Sequence, residues 1–221
     1  MKRKVTTLAI ACASVFALSA AIASAAQASE FEWASGTTTI ERSSNAVQKF
    51  NVPGTGSFEC NEVLAVSTVS GTKAPTVTTN KGSLVYRNSG SANTCPASLG
   101  TATITTHECS YQFVAGTTTG TGSSSGTVNL VNCPTSAPIE VNVSGLCLIK
   151  ISNQSGIGPI TYKTNAVSPS TVNIEPHATN IKYTQSGFCG SKTGENAEYT
   201  GAVTVKGKNG SGTQTAVKII P

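Results

Sequence analysis

The arrangement of apolar residues after position 28 restricts this chain to one class of fold. Apolar and polar residues alternate over short runs, as in residues 110–115, 127–132 and 139–143, and segments rich in Gly, Pro, Asn and Ser separate the runs. No segment after position 28 keeps the 3.6-residue apolar period of an amphipathic helix. The sequence therefore predicts an all-β fold, as one or more antiparallel β-sandwiches of the immunoglobulin-like or Greek-key type.

The first 28 residues have the features of a secretory signal peptide. Residues 2–4 are basic, residues 5–29 carry no charge, and an A-x-A cleavage site occurs at Ala26-Gln27-Ala28, with a second at Ala23-Ser24-Ala25. An uncleaved membrane anchor and a lipoprotein modified at Cys12 are the alternatives. We expect cleavage before Ser29, no membrane span afterwards, and a secreted, extracellular protein.

The charge of the chain changes once this leader is removed. The full sequence has 15 Lys and Arg against 10 Asp and Glu, a formal charge of +5. Three of the basic residues lie in the leader, which leaves 12 against 10. Because no cluster of Lys and Arg remains, the sequence predicts no binding of nucleic acid.

Six cysteines remain after the leader, and an even number in an exported chain predicts three disulfides. The sequence alone leaves 15 pairings open. A hairpin of residues 109–115 and 127–133 would place Cys109 opposite Cys133, although a one-residue bulge is needed to align both apolar faces. The six residues are Cys60, Cys95, Cys109, Cys133, Cys147 and Cys189.

The length of the mature chain allows one large domain or two small ones. Apolar content falls over residues 88–105. We place a boundary there and predict an N-terminal β subdomain of residues 29–104 and a C-terminal β-sandwich of residues 105–221.

Two short motifs suggest chemistry, and both have simpler interpretations. His107-Glu108-Cys109 contains three metal-ligating residue types, but Glu108 would point away from its neighbours on a strand, and the second histidine, His177, follows a proline in a predicted turn. Residues 122–126 match G-x-S-x-G within a Ser- and Gly-rich turn, but the chain contains no Asp for a Ser-His-Asp triad. We therefore predict no catalytic, metal-binding or cofactor-binding residue. Trp33, the only tryptophan, is expected in the core rather than stacked on a sugar.

The segments HECSYQF, GTVNLVNCP, IEVNVSGLC, IKYTQSGFC and EYTGAVTVKGKN, within residues 105–210, resemble a family of uncharacterised secreted β-rich proteins found in multiple copies in soil actinobacteria. The N-terminal half matches this family mainly through Cys60 and Cys95. The resemblance implies sequential disulfides: Cys60 with Cys95, Cys109 with Cys133, and Cys147 with Cys189. It implies no activity.

Together these features predict a secreted, disulfide-stabilised protein that is not an enzyme. It would act in binding, or as a structural component of the cell surface or extracellular matrix, with a cell-wall or extracellular glycan or a protein as partner. A patch of exposed tyrosines would support binding. The alternatives are a secreted hydrolase, which requires a cleft where His107, His177 or a pair of glutamates converge, and a fibre subunit, which requires an exposed unpaired sheet edge.

Overall fold

The computed structural model describes residues 27–44, 46–88 and 93–221. Residues 1–26, which hold most of the predicted signal peptide, lie outside the described residues. The described part of the chain forms 20 strands and no helix, and every pair of strands is antiparallel, which confirms the predicted all-β fold. The strands are β1 (Glu30–Trp33), β2 (Thr37–Ser44), β3 (Gln48–Val52), β4 (Gly56–Cys60), β5 (Glu62–Thr68), β6 (Lys73–Ala74), β7 (Thr76–Thr78), β8 (Val85–Arg87), β9 (Thr94–Ala97), β10 (Gly100–Thr105), β11 (Ser110–Gly120), β12 (Ser123–Val131), β13 (Ile139–Val143), β14 (Cys147–Ile151), β15 (Gln154–Asn165), β16 (Thr171–Gly187), β17 (Lys192–Thr200), β18 (Val203–Asn209), β19 (Gln214–Thr215) and β20 (Val217–Ile220).

Eight strands close into a barrel in the order β3-β4-β9-β10-β13-β14-β16-β17, with β17 returning to β3. An immunoglobulin-like sandwich, as expected from the sequence, would leave free edges on both sheets. In the barrel no strand edge is free, because β4 pairs with β9 and closes the sheet. This closing contact is narrow, with one residue pair, Phe58 and Ala97, in register. Alternation of apolar residues indicates the strands but does not specify whether their sheet closes.

A second, open sheet has the order β7-β11-β12-β15-β16-β18-β2-β5-β8. It shares β16 with the barrel. The first half of β16 pairs with β15 and β18 in the open sheet, and its second half pairs with β17 and β14 in the barrel. The 17 residues of β16 therefore belong to both sheets.

Strands from both sides of the boundary predicted at residue 104 pair directly. The N-terminal β2 lies beside β18, β3 beside β17, and β7 beside β11. The buried apolar residues form one continuous core that includes members of both segments.

A small sheet, in the order β20-β1-β6, packs on the core through Phe31, Trp33, Val217 and Ile219. The Phe31 ring meets the Tyr162 ring edge to face, with 5.3 Å between centroids. Trp33 is buried, as expected, and its Nε1 donates a hydrogen bond to the Gly71 carbonyl at 2.8 Å. Trp33 is therefore a core residue and offers no exposed ring to a sugar.

Three disulfides connect neighbouring parts of the barrel and of the β11–β12 hairpin. The pairs are Cys60–Cys95, Cys109–Cys133 and Cys147–Cys189, the same pairs that the family resemblance implies. Cys60–Cys95 joins β4 to β9, the two strands whose contact closes the barrel. Three bonds of this kind indicate an oxidising environment.

The register of the β11–β12 hairpin differs by one residue from the register that would place Cys109 opposite Cys133. Ser110 pairs with Val131, and Phe113 pairs with Val128, so that both apolar faces align. Cys133 reaches Cys109 because Asn132, just after β12, has a positive φ of 61°. Packing of the strands sets the register, and a local change in backbone direction accommodates the disulfide.

Residues 27–29 extend the pairing along β11. The Gln27 carbonyl accepts a hydrogen bond from the Thr118 amide at 3.0 Å, and the Ser29 amide donates to the Gly116 carbonyl at 2.8 Å. Ala28 forms an antiparallel bridge with Thr117. Cleavage before Ser29 would remove the contacts of Gln27 and Ala28 with β11. Cleavage at the earlier A-x-A site, after Ala25, would keep them.

Candidate functional site

The metal-ligating residue types singled out in the sequence do not converge. Nε2 of His107 lies 3.8 Å from Oε2 of Glu140, whose other oxygen is 2.8 Å from the Lys150 ammonium. This lysine, and to a smaller extent His107, lowers the pKa of Glu140 below its ordinary value. Glu108 instead faces Lys81, and Cys109 is in a disulfide. Within the described ranges no group of three His, Cys, Asp or Glu could hold a metal ion.

The serine and the histidine that the sequence offered for hydrolysis lie on different strands. The central serine of the G-x-S-x-G match, Ser124, lies fully buried within β12 between Thr118 and Tyr162, and no helix follows it. His177 is exposed on β16, opposite Thr200. The motif is therefore part of a strand in the open sheet and not a nucleophile elbow.

The five tyrosines, all within the described residues, form no exposed patch of the kind that would support binding. Tyr86, Tyr162 and Tyr183 are buried, and Tyr111 and Tyr199 are half-buried. The rings turn inward because they occupy the apolar positions of the strand alternation. The tyrosine rings therefore face the interior of the molecule, where Tyr86, Tyr111 and Tyr199 line a cavity.

This cavity lies between the barrel and the open sheet and has a volume of about 110 Å³. All but five of its lining residues are aliphatic residues, prolines or phenylalanines. The exceptions are Arg42, Gln48 and the three tyrosines Tyr86, Tyr111 and Tyr199. A dry cavity of similar size, about 150 Å³, is large enough to bind benzene. The interior is thus an apolar chamber with a few polar groups in its wall.

The tyrosines and Gln48 form a hydrogen-bonded group on one side of the cavity. The hydroxyls of Tyr86 and Tyr111 are 2.8 Å apart, and the Tyr199 hydroxyl donates to Oε1 of Gln48 at 2.6 Å. Nε2 of Gln48 donates to the carbonyls of Ala46 and Ala202, both at 2.8 Å, which fixes the amide orientation. These hydrogen bonds fix the positions of the three side chains that they join to one another or to Gln48.

Among the described residues that line the cavity, Arg42 alone is charged. In β2 it shares the inward face with Ile40, two residues earlier, and only 5% of its surface is exposed. Nη1 donates to the Ser67 hydroxyl at 2.7 Å, and the guanidinium carbon lies 4.5 Å from the centroid of the Phe113 ring. Nε has no hydrogen-bond partner in the described structure.

No carboxylate in the described residues neutralises the charge of Arg42. Burial lowers the pKa of Arg42 to about 10, so the guanidinium remains a cation at neutral pH. Burial also raises the pKa of the nearby Tyr162, which therefore stays uncharged. All ten glutamates lie in the described residues; nine are paired with surface lysines, His107 or Arg87, and none is paired with Arg42. An unpaired buried charge costs on the order of several kcal/mol.

Neither the cavity nor the role of Arg42 in its wall was predicted from the sequence. The signal for Arg42 was present, since the run Ile40-Glu41-Arg42 places the arginine on the same side of a strand as the isoleucine. The cavity leaves no sequence signal, because apolar side chains that line a void follow the same alternation as side chains that fill a core.

None of the three comparisons, with models of protein families, with curated proteins and with solved structures, found a match for this chain. The described residues also contain no helix long and apolar enough to cross a membrane.

Proposed function

We propose that this protein is a non-catalytic binding protein that holds a small apolar ligand in the cavity between its barrel and its open sheet. The observation that carries the proposal is the cavity itself: about 110 Å³, with a wall that is apolar apart from five residues. Ligand sites in proteins have this character, a concave and mostly apolar surface with a few fixed polar groups.

Access to the cavity is proposed at Tyr111 and Tyr199. These two are half-buried, while every other residue of the wall is buried. The Tyr86 ring lies behind them, edge-on to Tyr199 with 6.4 Å between centroids. A ligand entering here would pass between aromatic rings, whose apolar faces and hydroxyl groups suit a molecule with a polar end.

The protein is further proposed to act after export. The signal-like sequence of residues 1–28 and the three disulfides support a secreted protein. We also propose that the protein is retained at the cell surface after export. The barrel and the open sheet are proposed to form the two layers of a sandwich-like arrangement.

The other candidate functions have less support. A hydrolase would need a nucleophile and a base in contact, and Ser124, His107 and His177 lie on separate strands or loops with different partners. A fibre subunit would need a long exposed edge, and the edges of the open sheet, β7 and β8, have three residues each.

Binding can be tested with fluorobenzene as a probe, followed by ¹⁹F NMR of the full secreted protein. We expect a saturable change of the probe signal with the wild type. Ala65→Ile, which adds bulk to the cavity wall, should abolish it, while Ala74→Ile, in the small sheet outside the wall, should not. Circular dichroism and Tm would verify that both variants fold. The absence of saturable binding to the folded wild type would refute the proposal.

A further inference from the structure

We propose that the natural ligand of the cavity is a monocarboxylate with a compact apolar body, and that its carboxylate pairs with Arg42. This inference rests on the proposed function, because it requires that the cavity takes up a ligand. It adds the chemical class of the ligand and the residue that selects it.

The free side of the Arg42 guanidinium fits a carboxylate. Arg87 shows the geometry within the same molecule: Nε donates to Oε2 of Glu62 at 2.6 Å and Nη2 donates to Oε1 at 3.0 Å. In Arg42 the Ser67 hydroxyl accepts from Nη1, on the opposite edge, and Nε has no acceptor. A planar carboxylate is the group that matches an Nε–Nη2 edge with two parallel hydrogen bonds.

The number of charges limits the ligand to a monoanion. Within the part of the chain that the structure describes, Arg42 is the one cationic residue of the cavity wall and no anionic residue lines it. A dianion such as a phosphate monoester would bring a second, unpaired negative charge into apolar surroundings, which is costly. A monocarboxylate leaves the cavity with no net charge and removes the cost of the unpaired arginine.

The rest of the ligand must be apolar and small. The wall offers few polar partners besides Arg42: the Gln48 amide already bonds Tyr199 and two carbonyls, and the Tyr86 and Tyr111 hydroxyls bond each other. A volume of about 110 Å³ suits a single six-membered ring or a short branched chain. Polyols and sugars do not fit this description, since their hydroxyls would lose hydrogen bonds with water.

The test compares two probes of nearly equal shape, 4-fluorobenzoate and its neutral analogue 4-fluorobenzamide, by ¹⁹F NMR titration of the full secreted protein. We expect the wild type to bind the benzoate at least about ten-fold more tightly, because a charge-assisted hydrogen bond replaces a neutral one. Arg42→Met should weaken benzoate binding by about ten- to a hundred-fold. The same variant should change benzamide binding by less than about three-fold.

Two further variants and one direct measurement complete the design. Arg42→Lys keeps the charge but lacks the planar edge, so it should fall between the wild type and Arg42→Met. Arg87→Met removes the surface arginine and should leave both affinities unchanged. The ¹⁵Nε signal of Arg42 in the wild type should shift on addition of benzoate, which tests the contact even where Arg42→Met fails to fold.

The outcomes separate the two proposals. If neither probe binds the wild type while fluorobenzene does, the assignment of a monocarboxylate to the cavity is wrong; if fluorobenzene does not bind either, the proposed function itself is refuted. If both bind equally, or if the benzoate preference survives in Arg42→Met, the cavity binds ligands but the assignment of Arg42 is wrong. A shift of the Arg42 signal with sodium chloride that matches the shift with benzoate would also overturn it, because a simple inorganic anion would then be sufficient.

Discussion

The Cys60–Cys95 disulfide provides the most quantitative prediction. It links two residues 35 positions apart in the sequence, and both cysteines are almost fully buried. In the chain-entropy account, cross-linking an interval of this length restricts the unfolded chain and stabilises the fold by about 4 kcal/mol. Native domains have free energies of unfolding of about 5–15 kcal/mol, so the loss would be a large share of the total.

The perturbation is the double variant Cys60→Ala/Cys95→Ala, in which alanine avoids placing a hydroxyl in the core. Guanidinium denaturation, read out by circular dichroism, should give a free energy of unfolding about 4 kcal/mol below that of the wild type. The matched control is Cys147→Ala/Cys189→Ala, whose interval of 42 residues predicts nearly the same loss.

The two variants should differ in local stability, because the strands that they release differ in pairing. β4 and β9 have one residue pair in register, whereas β14 and β16 have four. Hydrogen exchange of amides in β4 and β9 should therefore accelerate beyond the global effect only in the first variant. A loss below about 1 kcal/mol in both variants would refute the entropic argument. Equal exchange at β4 and β9 in both would refute the idea that this disulfide holds the barrel closed.

Gly201→Ala should lower Tm and weaken probe binding, because the added Cβ would collide with the Gln48 amide. The control Gly210→Ala, whose Cβ would enter open space, should change neither. Unchanged probe binding in Gly201→Ala would show that the orientation of the Gln48 amide is unimportant. The contacts of residues 27–29 with β11 favour cleavage at the earlier A-x-A site over the cleavage before Ser29 expected from the sequence. Intact-mass spectrometry of the secreted protein should therefore show a start at Ala26, and a mass corresponding to a start at Ser29 would contradict this. The pKa of Glu140 is lowered in the fold, so its stabilisation is present above the ordinary value of 4.5 and is lost as the pH falls through the folded pKa. The free energy of unfolding of Glu140→Gln should therefore fall less on acidification than that of the wild type. The same fall in both proteins would exclude a contribution from this carboxylate.

Local patterns predicted the strands well because each strand needs only its own residues to show which face is buried. The segment Ile139–Val143, for example, alternates in the sequence and is buried at the same positions in the structure. The closure of the barrel could not be predicted, since it depends on contacts between β4 and β9, whose residues are about 40 positions apart in the sequence.

The candidate site was less predictable than the fold. His107 and Ser124 belong to residue types associated with metal binding and catalysis, but the fold places them on unrelated strands and loops. The informative residue was Arg42, a cation at an apolar position of the alternation. That Arg42 lacks a carboxylate partner is evident only from the ion pairs of the glutamates in the described structure.

The sharing of β16 has a consequence for how any ligand could reach the interior. The same backbone is held in register by β15 and β18 along one half and by β14 and β17 along the other. Parting the two sheets would bend this strand and break ladders on both sides of the bend, at a cost of many hydrogen bonds at once. Uptake and release are therefore expected to depend on rotation of a few rim side chains, with the backbone scaffold staying nearly rigid.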